Sequence, residues 1–343
     1  MALSATLPIQ DSAANLFQAS STDVDEHCAG LGRWRLSYDQ ISAGAFRGSF
    51  TQLSLPRVEV FREITSQQVR QYGQLGANSF GIGLPWHGDG EINCNGASVA
   101  GAQVITCIDA EVDMCTPKAF EFRGVVTSAA LIEELAARLD IELPRTVWHQ
   151  LRAMEMAEAP VARLRAHLAA IQEMITTAPE RFDDAGVRQA LVDALLVDIM
   201  DMLPTARPTA PGRNVVARKR TVDRARALMH GSGDRSLSLL EICKAVGASP
   251  RKLGYCFQEV LGTSPMHYWR AMRLNRVRRD LKRGTEASVY DVAVQHGFWH
   301  FSQFSLDYKR HFSELPSETL RRARSSPAIC TSWTSHQSTS SSP

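Results

Sequence analysis

Long apolar runs are missing from this chain: nowhere do about 18 apolar residues follow one another, so a membrane-spanning helix is not expected. The opening "MALSATLPIQDSAANLF" has no basic start followed by an apolar block, and does not read as a secretory signal. Cysteine is sparse and unpatterned. The seven cysteines, Cys28, Cys94, Cys107, Cys115, Cys243, Cys256 and Cys330, are odd in number and form no CxxC. That removes metal spacing and, in a chain of 343 residues, makes a disulfide framework a poor reading. Most are expected to be small buried hydrophobes, in a reducing, cytoplasmic compartment. The N-terminal half holds only His27, His87, His149 and His167, with no HxH pair. "PWHGDGEIN" does place His87, Asp89 and Glu91 on alternate residues, the spacing a metal-dependent barrel enzyme would use. A polar turn between strands explains it more simply, so no catalytic residue, metal ligand or required cofactor is assigned.

What is present is an unequal division of charge. Residues 213–325 carry 22 Lys and Arg against 10 Asp and Glu, while the remainder carries 16 against 26. The whole-chain net charge of +2 therefore hides an acidic half and a basic half. Such asymmetry points to a polyanionic partner for the basic part.

The length suits two domains. Residues 1–27 show no clear periodicity and are expected to be a loose lead. From about 33 to 127, "WRLSY", "FTQLSL", "VEVFREI" and "FEFRGVV" alternate apolar and polar residues between frequent glycines, as short strands of a barrel or jelly roll do. The period then becomes helical in "TSAALIEELAARL" (127–139), "APVARLRAHLAAIQEMI" (159–175) and "GVRQALVDALLVDIMDML" (186–203). The last two are expected to pack together or to dimerise. "PTARPTAPGR" (204–213) reads as an extended linker, and the Ser/Thr-rich stretch 325–343 as a disordered tail. The expected layout is α+β: a β-rich, cupin- or jelly-roll-like domain with helices over 28–203, and an all-α domain over 214–324.

That second domain contains a repeat. "LSLLEICKAVGASPRKLGYCFQEVLGTSP" (237–265) and "SVYDVAVQHGFWHFSQFSLDYKRHFSELP" (288–316) each give a short helix, a turn glycine (Gly247, Gly297) and a second helix. This is the pattern of two helix-turn-helix units. Phe304, Tyr308 and Phe312 recur every four residues and correspond to Leu253, Phe257 and Leu261. Leucine offers no ring on which a base could stack, so the aromatic stripe is read as core and not as a single-strand platform. The first turns of the second helices are polar: Ser249, Arg251 and Lys252, then His300, Ser302 and Gln303. Helices of this kind present such residues to base edges in the major groove, where Arg or Lys suits guanine and Gln suits adenine. Tyr255, Lys309 and Arg310 lie further along and complete the candidate DNA contacts; Ser249 before Pro250 also suits a helix cap. Between the repeats, "SPMHYWRAMRLNRVRRDLKRG" (264–284) reads as one helix about 30 Å long, close to the ~34 Å between successive major-groove faces.

These residues resemble the DNA-binding region of the AraC/XylS family of bacterial transcription regulators, over about 217–324. "RKLGYCFQEVLGTSPMHYWRAMRLNRVRRDL" and "VAVQHGFWHFSQFSLDYKRHF" carry the resemblance in order and spacing. Ser313 departs from it, because a glycine is usual there. "YDQISAGAFRGSFTQLSLPRVEVFREIT" and "NSFGIGLP" are similar to the sensing domain of ethanolamine operon regulators. The resemblance implies an effector-dependent activator of a catabolic operon, acting on promoter DNA with RNA polymerase, and as a dimer in relatives. It implies ethanolamine with adenosylcobalamin, or another amine or alcohol, as effector. Trp34, Tyr38, Phe80 and Trp86, with Phe120, are candidates to line an apolar effector pocket, and Asp39 or Glu59 to balance an ammonium group. The competing readings are a barrel enzyme with a DNA-binding appendage and an architectural DNA-bending protein without effector.

Overall fold

The computed structural model describes residues 14–31, 34–76, 78–99, 103–108, 111–143, 152–208, 213–233, 235, 237–284 and 286–325. The fold is α+β, with a β-rich N-terminal domain and an all-α C-terminal one.

Two antiparallel sheets build the first domain. The larger contains β1 (Asn15–Ser21), β3 (Gly48–Leu55), β4 (Val58–Thr65), β6 (Ser79–His87), β9 (Val104–Ile108), β11 (Phe120–Ser128), β12 (Arg152–Glu155) and β13 (Arg207–Pro208), in the order β1-β3-β4-β11-β6-β9-β12-β13. The smaller contains β2 (Arg35–Gln40), β5 (Val69–Gln74), β7 (Ile92–Cys94), β8 (Ala97–Val99) and β10 (Glu111–Thr116), in the order β2-β5-β10-β7-β8. The period of two sorts their side chains. On β4 and β11, Val58, Val60 and Val125 pack beneath the helices, while Phe61, Phe122 and Val126 turn inward between the sheets. Gly83 is required by that inner layer, since a Cβ there would lie 2.0 Å from the Phe122 ring.

The outer face of the large sheet is covered by α2 (Ala129–Arg138), α3 (Glu158–Thr177) and α4 (Ala185–Met202). Leu164, Leu168 and Ile171 of α3 share one core with Leu195 and Ile199 of α4, so these two helices pack together within the chain. The reading of 1–27 as a loose lead is corrected for its described part: β1 pairs with β3 along its whole length, and α1 (Val24–Ala29) is capped by Asp23. The linker is also less extended than expected. Leu203–Thr205 forms a 3-10 turn and Arg207–Pro208 pairs with Met154 and Glu155; residues 209–212 lie outside the described residues, as does the tail beyond Ser325.

The second domain contains α5 (Arg213–Gly231), α6 (Leu239–Val246), α7 (Pro250–Leu261), α8 (Pro265–Lys282), α9 (Val289–Gln295), α10 (Phe301–Phe312) and α11 (Pro316–Ser325). The sequence repeat is a structural repeat down to its caps. Ser238 with Glu241 and Ser288 with Asp291 each form a capping box that starts the first helix of a unit. Gly247 (φ 68°) and Gly297 (φ 75°) turn the chain in the left-handed region. Gly262 (φ 65°) and Ser313 (φ 60°) end the second helices in the same way. At Ser313 a Cβ is held where glycine costs nothing. Ser313→Gly is therefore expected to stabilise the protein by about 1 kcal/mol, seen as a higher urea midpoint at an unchanged slope.

Candidate nucleic-acid interface and cavity

The stripe Phe304, Tyr308 and Phe312 is buried in one small core with Leu274, Val277 and Leu281 of α8, and Leu253, Phe257 and Leu261 occupy the equivalent core of the first unit. With one face buried, the opposite faces of α7 and α10 are turned outward. Arg251, Lys252 and Tyr255 on α7, and His300, Ser302, Gln303, Lys309 and Arg310 on or beside α10, are all exposed. Ser249 is committed locally: its hydroxyl accepts from the Lys252 backbone N–H at 3.2 Å and caps α7. His300 is the N-cap residue of α10 and makes no side-chain cap bond. Gln303 donates to Asp307 at 3.0 Å, one helical turn on. Tyr255 packs under the Arg218 guanidinium, 5.1 Å from its ring centroid.

Sequence reasoning passed over Trp299 and Phe301. Both sit exposed at the start of α10, the indole at 60 %. Their positions fall off the four-residue stripe, which was the available signal. Apolar groups there suit contact with a thymine methyl.

Helix α8 fixes the second unit as well as joining the two. The Arg273 guanidinium donates to the Gly297 carbonyl at 3.0 Å and lies 4.4 Å from the Phe298 ring centroid. Burial lowers its pKa to about 10. His296 contacts Asp280 of the same helix at 2.7 Å.

A separate cavity of about 50 Å³ lies between the two sheets of the β-rich domain. Its walls are apolar, formed by Trp34, Phe61, Ile105, Met114 and Phe122 among others. Tyr38, Glu63 and Gln71 supply its polar end. Of the sequence candidates, Trp34 and Tyr38 line this cavity. Phe80 does not, because it faces the helix-covered core; Phe120 packs on Phe122 outside the lining; Trp86 lies beneath the Arg123 and Arg165 guanidinium groups. Asp39 does not face it either, being paired with Arg279 at 2.7 Å, and Glu59 is outside the lining. His87, Asp89 and Glu91 run from the end of β6 through an exposed turn, and no cluster of three metal-ligating side chains occurs among the described residues.

A family model described as a helix-turn-helix domain matches residues 242–322. The chain is 29% identical over 210 residues to a probable thc operon regulatory protein of Rhodococcus erythropolis, covering 56% of this chain and 58% of that protein. It is 40% identical over 88 residues to the XylDLEGF operon transcriptional activator 2 of Pseudomonas putida, covering 25% of this chain and 56% of that one. It thus spans somewhat over half the length of these relatives. It is also 31% identical to a probable AraC family transcriptional regulator from Rhodopseudomonas palustris of solved structure, over 31% of this chain and 98% of that one, with a TM-score of 0.29. Residues 242–322 are a helix-turn-helix domain. No helix among the described residues is long and apolar enough to cross a membrane.

The helix-turn-helix domain is clasped by the β-rich domain along α8. Arg279 donates to the Asp25 and Asp39 carboxylates at 2.8 and 2.7 Å and to the Tyr38 carbonyl at 2.6 Å. Arg278 pairs with Asp23 at 3.1 Å and with Glu314 at 2.8 Å, and Lys282 reaches Asp23 at 2.5 Å. Asp23 is buried, which on its own would raise its pKa, but Arg278 and Lys282 together outweigh burial and hold it below the usual carboxylate range. Asn275 and the backbone of Gln40 exchange two hydrogen bonds, at 3.2 and 2.8 Å. The Gln40 side chain donates to the His311 carbonyl at 2.8 Å, and His311 Nε2 donates back to the Gln40 carbonyl at 3.1 Å. The acidic surplus of one half thus meets part of the basic surplus of the other inside the chain.

Proposed function

We propose that this chain is a cytoplasmic, sequence-specific DNA-binding transcription regulator whose β-rich domain responds to a small effector. The observation that carries the reading is the duplicated unit with its outward faces: α7 and α10 each bury an apolar stripe and expose a polar, basic side. Helix α8, with 18 residues, is about 27 Å long, which suits two recognition helices entering successive major grooves of one duplex. In this reading Arg251 and Gln303 address base edges, while Lys252, Lys309 and Arg310 address phosphates. Activation of an operon follows the name of the Pseudomonas putida relative; a catabolic target, contact with RNA polymerase and dimerisation belong to the same proposal.

Effector control has a short physical route. Three successive residues of β2 face three places: Tyr38 lines the cavity, Asp39 holds Arg279, and Gln40 holds Asn275 and His311. A ligand that moves β2 would change the hold on α8, provided it binds one arrangement better than the other.

The test is selection from random duplexes followed by measurement of variants. Arg251→Ala is expected to weaken the selected duplex by about 1–3 kcal/mol and to relax the base preference at one position. Lys309→Ala is expected to weaken all duplexes alike and to reduce the salt slope by about one. Selection that returns no enriched sequence would sink the reading.

A further inference from the structure

We propose that the second unit reads its major groove through apolar contact with thymine methyl groups, so that the half-site under α10 carries thymines, while Arg251 takes a guanine in the half-site under α7. This rests on the regulator reading above and deepens it to the base each unit prefers.

The two units share core and caps and differ on their outward faces. Leu253 and Phe304 hold equivalent core positions, which sets Arg251 against Ser302, Lys252 against Gln303 and Tyr255 against Leu306. Pro250, the first residue of α7, stands against Phe301 of α10. Where the first unit has cations, the second has a hydroxyl and an amide flanked by apolar groups. The turn differs as well. Ala248 alone separates Gly247 from the cap residue Ser249, whereas Phe298 and Trp299 separate Gly297 from the cap residue His300. Phe298 packs inward, as Ala248 does, so the extra residue is the exposed Trp299. Leu306 is 63 % exposed and Phe301 40 %. Exposed Tyr290 sets its ring centroid 5.9 Å from that of Phe301. These side chains are rimmed by exposed His300, Ser302, Gln303, Lys309 and Arg310. Apolar groups gathered inside a polar rim mark an interaction surface.

The position of the surface selects its occupant. It lies at the N-terminal turns of α10, the part of such a helix that meets base edges. Exposed Lys309 and Arg310, further along the same helix, suit the phosphates that border a groove. Of the four bases, thymine alone presents a methyl group in the major groove. Leu306, Trp299 and Phe301 can pack on that methyl and take it out of water. A cytosine there would turn its N4 amino group on side chains that offer it no acceptor. Gln303 agrees with the same base pairs. With one amide N–H given to Asp307 at 3.0 Å, its second N–H and its carbonyl oxygen remain for an adenine.

The experiment replaces single thymines by deoxyuridine in a duplex selected by the full chain, a change that removes the methyl and keeps the pairing. The half-site whose preference Arg251→Ala relaxes lies under α7, and the other lies under α10. At least one thymine of the α10 half is expected to lose about fourfold in affinity, the worth of one buried methyl-sized group, and thymines of the α7 half less than about twofold. In the double variant Leu306→Ala, Trp299→Ala the loss on removing the methyl should vanish, at a melting temperature close to the parent's because both side chains are exposed. Should the double variant bind too weakly to measure, the single variants carry the same comparison. Uracil tolerated at every thymine of the α10 half, no thymine selected there, or a methyl effect that survives in the double variant overturns the proposal and leaves the regulator reading standing. A double variant that binds the duplex as the parent does also overturns it, and gives the surface to a protein partner. Selection that enriches no sequence sinks both readings.

Discussion

Arg279→Ala is expected to open the clasp between the two domains and to destabilise the intact chain by about 3 kcal/mol, the lower end of the range for breaking a buried ion pair. The reason is asymmetry. The Arg279 side chain keeps about a quarter of its surface in solvent, but its partner Asp39 is fully buried. Removing the guanidinium leaves a buried carboxylate whose Oδ1 has lost its donor and whose Oδ2 already has no hydrogen-bond partner among the described residues. Separating the domains would rehydrate it, so the variant should open before it unfolds. Chemical denaturation gives the stability, and small-angle scattering gives the opening. Arg279→Ala combined with Asp39→Asn should recover part of the loss, since no uncompensated charge then remains. A single variant as stable and as compact as the parent would show that these contacts hold nothing.

Acid should loosen the same contact. His311 is buried against Gln40, and burial lowers its pKa to about 4; His267 and Arg278 push the same way, while the hydrogen bond to the Gln40 carbonyl and the Asp307 charge oppose them. A histidine of the unfolded chain titrates near 6.5. The folded state therefore binds fewer protons than the unfolded state between these values. The contribution of His311 is complete above about pH 6.5 and falls away as the pH drops towards 4, by roughly 3 kcal/mol in all. Stability measured from pH 7 to pH 4 should decline across that window, and less steeply in His311→Gln. Parallel profiles for the two proteins would contradict the assignment.

What could be read from the sequence was local and periodic. The second domain announces itself twice, so comparing Phe304, Tyr308 and Phe312 with Leu253, Phe257 and Leu261 separates core from surface on the sequence alone. Ser313 was legible through the family resemblance, in which a glycine is usual at that position; it and its repeat partner Gly262 both adopt positive φ. β1 was missed because it is an edge strand. Its seven residues alternate only between exposed and half-buried, and pairing with β3, not its own pattern, makes it a strand. Trp34 and Tyr38 were found as aromatics near strands, but Glu63 and Gln71 were not singled out. The usable signal was that Glu63 shares its parity on β4 with Phe61. Asp39 with Arg279 lay beyond sequence reasoning altogether, since the partners are 240 residues apart and belong to different domains.

The central claim is that one chain reads two adjacent major grooves with α7 and α10. Hydroxyl-radical footprinting of the full chain on a selected duplex tests it most directly. Two protected windows about 10–10.5 base pairs apart on one face are expected, the first weakened by Arg251→Ala and the second by Gln303→Ala. A single window, or protection that does not depend on the duplex sequence, would contradict it.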